Sequence, residues 1–323
     1  MRAISKIISA VLIAAASITQ TQAQTFPTKT VRVVVPFSPG GTSDALTRLV
    51  GQELAKIWKQ PVIVENRPGA DGGVGAGAVA RSAPDGLTLF MGSSAPLVVQ
   101  PNLYAKLPYD AQKDFAPISF VANVQNLLVV NPSLGVSSLS ELIALAKSRK
   151  TPLTFASNGP GSSPHMAAEV FMSMAGVEMR HIPYKGSAPA MTDLIGGQVD
   201  LMFDNLPTAL PMARSGRLIP LAVTGATRSP LAKDIPTVAE SGLPAYDVTV
   251  WYGLLAPTGT PATIVSKISK DLAQVLASAD VRDQLIQLGT EPASMTPEKF
   301  TAFMGVELGK WGKIIRDAKI SVE

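Results

Sequence analysis

Val31-Arg32-Val33-Val34-Val35-Pro36-Phe37-Ser38-Pro39-Gly40-Gly41-Thr42-Ser43-Asp44 is the stretch on which the fold turns. Its first part is a β-branched run of the kind found in mostly parallel sheets, where helices cover both faces of a strand. Ser38-Pro39-Gly40-Gly41 ends the run with turn residues. Helix signals follow at once: Thr42 or Ser43 is placed to N-cap, and Asp44 lies in the first turn, where the helix dipole favours an acid. Leu46, Leu49, Val50, Leu54 and Ile57 then recur at helical spacing. The unit is a strand, a glycine turn and a helix.

Outward from this unit the pattern repeats. Leu153 to Ala156 reads as a strand, Ser157 to Ser163 as a loop, and Pro164 opens a helix that stops at Gly176. Val199 to Phe203 leads through Asp204-Asn205 into a helix over Leu206 to Ser215. Ser138 and Glu141 have the spacing of a capping box, and Ser187 to Ile195 is a further helix closed by Gly196-Gly197. Alternating strands and helices make this an α/β chain with largely parallel sheets. Toward the C-terminus the pattern becomes helical, over Pro261 to Ser278, Asp280 to Leu288 and Pro297 to Ala318, the last capped by Thr296. Val121 to Val130 and Tyr246 to Leu255 are extended, without helical periodicity, and are the candidate interdomain crossings. No fixed-period repeat or low-complexity tract occurs.

Composition narrows the function. The 323 residues carry 28 basic and 24 acidic side chains, a net charge of +4, and they show no basic stripe of the kind that binds nucleic acid. The absence of cysteine excludes disulfide scaffolds, thiolate metal sites and cysteine nucleophiles. Arg2 and Lys6 precede an apolar stretch over Ile7 to Ile18, and Thr21-Gln22-Ala23 puts small residues where a signal peptidase reads. About 12 apolar residues fall short of the roughly 18 to 20 that span a bilayer, so residues 1–23 are expected to be an export signal cleaved after Ala23.

Catalytic motifs are mostly absent. No Gly-x-Ser-x-Gly elbow, phosphate loop or His-Glu-x-x-His helix occurs, and the two histidines, His165 and His181, read as residues satisfied at a helix end and in a strand. The tract Gly69 to Gly77 matches a dinucleotide fingerprint loosely, with Gly75, Gly77 and Ala80 at its spacing. The preceding strand, Val62 to Val64, is separated from Gly75 by a turn at Asn66-Arg67-Pro68-Gly69, and no acid lies about twenty residues onward, so close backbone packing, or close backbone approach to a small ligand at a helix start, is the better reading. No metal or cofactor is expected. What remains is a set of polar turns at strand ends that open helices: Gly40 to Ser43, Gly92-Ser93-Ser94, and Ser157 to Ser163. Open α/β sheets bind ligands there, and free helix N-terminal amides favour a carboxylate.

Several motifs together resemble one family. They are Val35 to Asp44, Glu65-Asn66-Arg67-Pro68-Gly69-Ala70, Pro84-Asp85-Gly86, Ala156 to His165, His181-Ile182-Pro183-Tyr184-Lys185-Gly186, Gly197 to Asp204 and Asp234 to Gly242. The chain from about Phe26 onward is similar in them to the Bug/TctC-type receptors of tripartite tricarboxylate transporters. The resemblance implies a two-lobed periplasmic-binding fold of type II character, with two hinge-strand crossovers and a ligand cleft between the lobes. Residues 24–124 and 248–323 would form lobe 1, and residues 125–247 would form lobe 2. It implies a periplasmic solute receptor, no enzyme, that takes a dicarboxylate, tricarboxylate, amino acid or aromatic acid and hands it to membrane subunits of a transporter, acting as a monomer. Carried over residue by residue, the implied ligand-binding set is Phe37, Gly40, Gly41 and Asp44 in one lobe. In the other it is Ser157, Asn158, Gly161, Ser162 and His165, with Ser93 and Ser94 lining the floor and Asp204 reading the distal end of the ligand. An exported two-lobed enzyme acting on an organic acid, and a periplasmic sensory module that presents its ligand-bound form to a signalling partner, stay open as alternatives.

Overall fold

The computed structural model describes residues 26–318, 320 and 321, and the leader with its cleavage position lies outside them. Strand β1 (Val31–Val35) runs parallel to β2 (Val62–Asn66) on one side and to β3 (Thr88–Ser93) on the other. Val31, Val33 and Val35 pack on Leu46, Val50 and Leu54 of α1 (Thr42–Trp58), while Val34 is buried among Phe90 and Val98 on the opposite face. Arg32 is the one exposed residue of the strand and reaches Glu65 at 3.3 Å. The uninterrupted β-branched run therefore serves a strand covered on both sides.

Helix α2 (Gly73–Ala80) follows β2 and contains the later part of the glycine tract, Gly73 to Gly77. A Cβ on Gly75 would lie 3.0 Å from Pro36 Cα and 3.1 Å from Arg67 O, so the tract lets α2 press on the end of β1. After β3 comes a π-helical turn (Ala95–Val99) that continues into the short α3 (Gln100–Leu103). This segment escapes the periodicity reading, being too short and too uniformly apolar to show a face.

The 16-residue strand β4 (Phe115–Val130) organises the rest. It contains the expected crossing over 121–130 and begins six residues earlier. Up to Gln125 it pairs antiparallel with β9 (Thr249–Pro257), and from Asn126 it lies between β7 (Leu201–Asn205) and β8 (Ile219–Val223). A second parallel group forms beyond it from β5 (Leu153–Ser157), β6 (Met179–Pro183) and β7. The hydrogen-bonded order is β2-β1-β3-β9-β4-β7-β5-β6, with β8 and the three-residue β10 (Thr290–Pro292) also on β4. Among the described residues, only β4 and β9 carry the chain between the two strand groups.

Helices α4 (Leu139–Ser148), α5 (Ser163–Ala175), α6 (Ser187–Ile195) and α7 (Leu206–Arg214) cover the second group. Helices α8 (Ala262–Ala277), α9 (Ala279–Gln287) and α10 (Pro297–Asp317) return to the first. Thr296 accepts the Lys299 amide at 3.4 Å, as its cap position requires. The capping box of α4 is offset. Ser138 Oγ accepts the Glu141 amide at 3.3 Å, but the Glu141 carboxylate accepts from Ser137 N at 2.7 Å rather than from Ser138. Among the described residues no helix is long and apolar enough to cross a membrane.

Candidate ligand-binding site

Four helix N-termini converge on one cavity between the two strand groups. Thr42 and Ser43 open α1, Ser163 and Pro164 open α5, Ser187 opens α6, and Asn205 is the N-cap of α7; all border a space of about 490 Å³ counted to its mouth. Each helix start carries amides without intrahelical partners and the positive end of a dipole, so the convergence favours an anion. None of the described residues bordering the cavity is charged. Any anion held here is held by neutral donors.

The Gly-Gly turn is built by its own neighbours. Asp44, 5% exposed, accepts from Gly40 N at 3.1 Å, from Arg48 Nε at 3.0 Å and from Asn66 Nδ2 at 3.0 Å, and Asn66 also donates to Phe37 O at 3.1 Å. Burial alone would raise the Asp44 pKa, but the hydrogen bonds from Arg48, Gly40 and Asn66 outweigh it and hold the carboxyl below its ordinary value. The N-cap of α1 is Gly41, neither Thr42 nor Ser43 as the sequence suggested. The hydroxyls of Thr42 and Ser43 are buried without a partner.

On the opposite wall, the loop after β5 presents Asn158 and Ser162 to the cavity. Its inner side is saturated: Gly161 N donates to His165 Nδ1 at 3.0 Å, Gly159 N to Ser157 Oγ at 3.0 Å, and Ser162 Oγ to Gly159 O at 2.6 Å. Deeper in, Tyr252 Oη donates to Asn205 Oδ1 at 3.1 Å, Asn205 Nδ2 to Asn126 Oδ1 at 2.6 Å, and Asn126 Nδ2 to Ser163 Oγ at 2.8 Å. This relay ties β9 to α5 across the point where β4 changes partners. Asp204, fully buried, accepts from Ser187 Oγ and Thr208 Oγ1, and its Oδ1 has no partner. Burial raises its pKa against those hydrogen bonds.

Of the residues singled out from the sequence, Phe37, Gly41, Ser93, Asn158 and Ser162 border the cavity. Gly40, Asp44, Ser94, Ser157, Gly161, His165 and Asp204 do not; apart from Ser94, they shape the residues that do. In particular the Gly40 and Gly161 amides, expected to face a carboxylate, are consumed by Asp44 and His165. Lys185 does not border the cavity, and its carbonyl accepts from Ser38 Oγ at 2.8 Å. The sequence reading missed Ser187, Asn205 and Tyr252 at the wall. For Ser187 and Asn205 the signal was there, since each starts a helix after a strand or glycine. Tyr252 reaches the cavity only through the long-range pairing of β9.

The profile of the tripartite tricarboxylate transporter family receptor matches residues 46–320. Protein BugT of Bordetella pertussis is 38% identical over 296 residues, 91% of each chain. Among solved structures, R. palustris Rpa4515 with adipate is 38% identical with a TM-score of 0.89, over 92% of this chain and 99% of that one. MatC from Rhodopseudomonas palustris with bound malate is 34% identical with a TM-score of 0.84, over 90% and 100%. The fold is that of the periplasmic binding proteins, and a receptor binds its solute without converting it. The chain belongs to the tripartite tricarboxylate transporter receptor family, the Bug/TctC-type solute-binding receptors.

Proposed function

We propose that the cavity takes a small organic dicarboxylate, in the range from malate to adipate, and grips one carboxylate with neutral donors. The observation that carries this reading is where the unsatisfied polar atoms lie. Among the described residues seven buried side-chain polar atoms lack a partner, and four of them, Thr42 Oγ1, Ser43 Oγ, Ser93 Oγ and Asn158 Oδ1, belong to the wall of this one cavity. Buried polar groups are ordinarily paired, so such a cluster marks where a ligand completes the bonding. Three hydroxyls and the amides of the α1 start suit a carboxylate, while Phe37, Val250 and Tyr252 offer apolar wall to a carbon chain.

In this reading Phe37, Gly41, Ser93, Asn158 and Ser162 touch the ligand, with Thr42, Ser43 and Ser187 added to them. Gly40, Asp44, Ser157, Gly161, His165 and Asp204 hold those residues in place. Residues 24–124 with 248–323 act as one lobe and residues 125–247 as the other, hinged where β4 and β9 cross. The mature chain works in the periplasm as a monomer after removal of residues 1–23 and delivers its acid to transporter membrane subunits.

A thermal-shift screen over malate, adipate, citrate, acidic amino acids and benzoate tests the reading. A binder present at a hundred times its Kd stabilises by about 2.7 kcal/mol. Calorimetry on the best acid and on its mono-amide then tests the grip: loss of the charge-assisted acceptor is expected to cost about 1.5 to 3 kcal/mol, roughly tenfold to a hundredfold. No shift with any acid, or an amide that binds as well as its acid, refutes it.

A further inference from the structure

Behind the cavity wall lie the two histidines of the chain, stacked with ring centroids 4.2 Å apart and 25° between their planes. Phe155 extends the stack at 4.8 Å from His181. Neither imidazole borders the cavity. His165 Nδ1 accepts the Gly161 amide at 3.0 Å, and a ring nitrogen that accepts carries no proton. The ring proton therefore sits on Nε2, which is 3.2 Å from Glu169 Oε1, one turn along α5. His181 Nε2 lies 2.6 Å from Ser157 Oγ, and that oxygen accepts the Gly159 amide at 3.0 Å. Burial first, then the neighbouring His165, depresses His181 to about 3, so it too is neutral.

Within the loop, Gly159 O accepts from Ser162 N at 3.2 Å and from Ser162 Oγ at 2.6 Å, and the rings anchor this closed turn from outside. Gly159 and Gly161 adopt φ values of 125° and 81°, conformations open to a glycine but not imposed on it. Whatever freedom the internal bonds leave would have to be ordered by a ligand on binding. The two amides bonded through the histidine pair are those of these two glycines, Gly161 directly and Gly159 through Ser157. We propose that His165 and His181 are positioning residues for ligand capture, a stacked pair that fixes the 158–163 loop so that Asn158 and Ser162 face the cavity before the ligand arrives. The inference rests on the reading of that cavity as the ligand site.

The test compares His165→Asn, whose Oδ1 can replace Nδ1 as acceptor, with His165→Leu, which offers none. Amide hydrogen exchange at Gly161 is read without ligand, and adipate affinity is read by calorimetry. In the Leu variant, Gly161 is expected to lose at least tenfold in protection and adipate to bind about tenfold to a hundredfold more weakly. The Asn variant is expected to stay within about threefold of wild type on both. Equal losses in the two variants, or none in the Leu variant, overturn the proposal. If wild-type protein does not take up adipate, the ligand assignment fails and Gly161 exchange still decides the positioning role. Should the Leu variant not fold, the ¹⁵N shifts of His165 decide: an unprotonated Nδ1 at neutral pH supports the proposal, and a proton on Nδ1 overturns it.

Discussion

Asp71 offers a charge whose cost can be worked out and measured. It occupies the left-handed region at φ 51°, beside Ala70 at φ 43°, and its carboxyl abuts Gly159 across the mouth of the cleft. Burial there pushes the carboxyl up to about 7 from 3.8, with a hydrogen bond from Tyr104 pulling the other way. A raised acid destabilises the fold only when ionised: its contribution is neutral below about pH 4, worsens through about pH 7, and is constant above. The full shift corresponds to roughly 4 kcal/mol, and water at the open mouth reduces this to an expected ~2 kcal/mol. Asp71→Asn removes the charge and keeps a side chain that tolerates the left-handed backbone. The variant is expected to be more stable than wild type by ~2 kcal/mol at pH 8 and equal to it at pH 4, as read by urea unfolding at both pH values. An equal difference at both pH values, or a less stable variant at pH 8, refutes the reasoning.

Two further outcomes follow from the packing and from the buried acid. Gly75→Ala puts a Cβ 3.0 Å from Pro36 Cα and should cost ~1 to 3 kcal/mol of stability, whereas Gly305→Ala, with nothing within 4 Å on α10, should gain up to ~1 kcal/mol; thermal melts that rank the two alike contradict the packing account. Asp204→Asn, isosteric at a fully buried site bonded to Ser187, should leave the melting temperature within a few degrees and change the order in which acids bind, and an unchanged order would make Asp204 purely structural.

What the sequence reveals here is set by range. The valines of β1, the leucines of α1 and the glycine stop of α5 are local signals, and each strand-turn-helix unit is legible without its neighbours. The order of strands is not, because it depends on Gln125 meeting Thr249 and Asn126 meeting Asn205, pairs separated by more than 70 residues. The cavity inherits both kinds of information. Its polar turns are visible in the sequence as helix openings, but Tyr252 and the relay through Asn205 and Asn126 exist only once β9 and β7 lie beside β4.

One misreading was local, and its cause is instructive. At α4 the Ser138 and Glu141 spacing predicts a capping box, with Glu141 reaching back three positions to the N-cap amide. In three helices the third residue reaches back four instead: Glu141 to Ser137, Asp44 to Gly40, and His165 to Gly161. Each time the amide satisfied is the one before the N-cap, so the approach to the helix is fixed by its own first turn. At α4, on the surface, this only stabilises a helix start. At α1 and α5 the same device lies at the cavity, where it spends the outer glycine amide on the protein and leaves Gly41, Thr42, Ser43 and Ser162 along the wall. A carboxylate or imidazole four residues after a glycine at a strand end therefore points to a turn already braced from within, and the groups left for a ligand are those between the two.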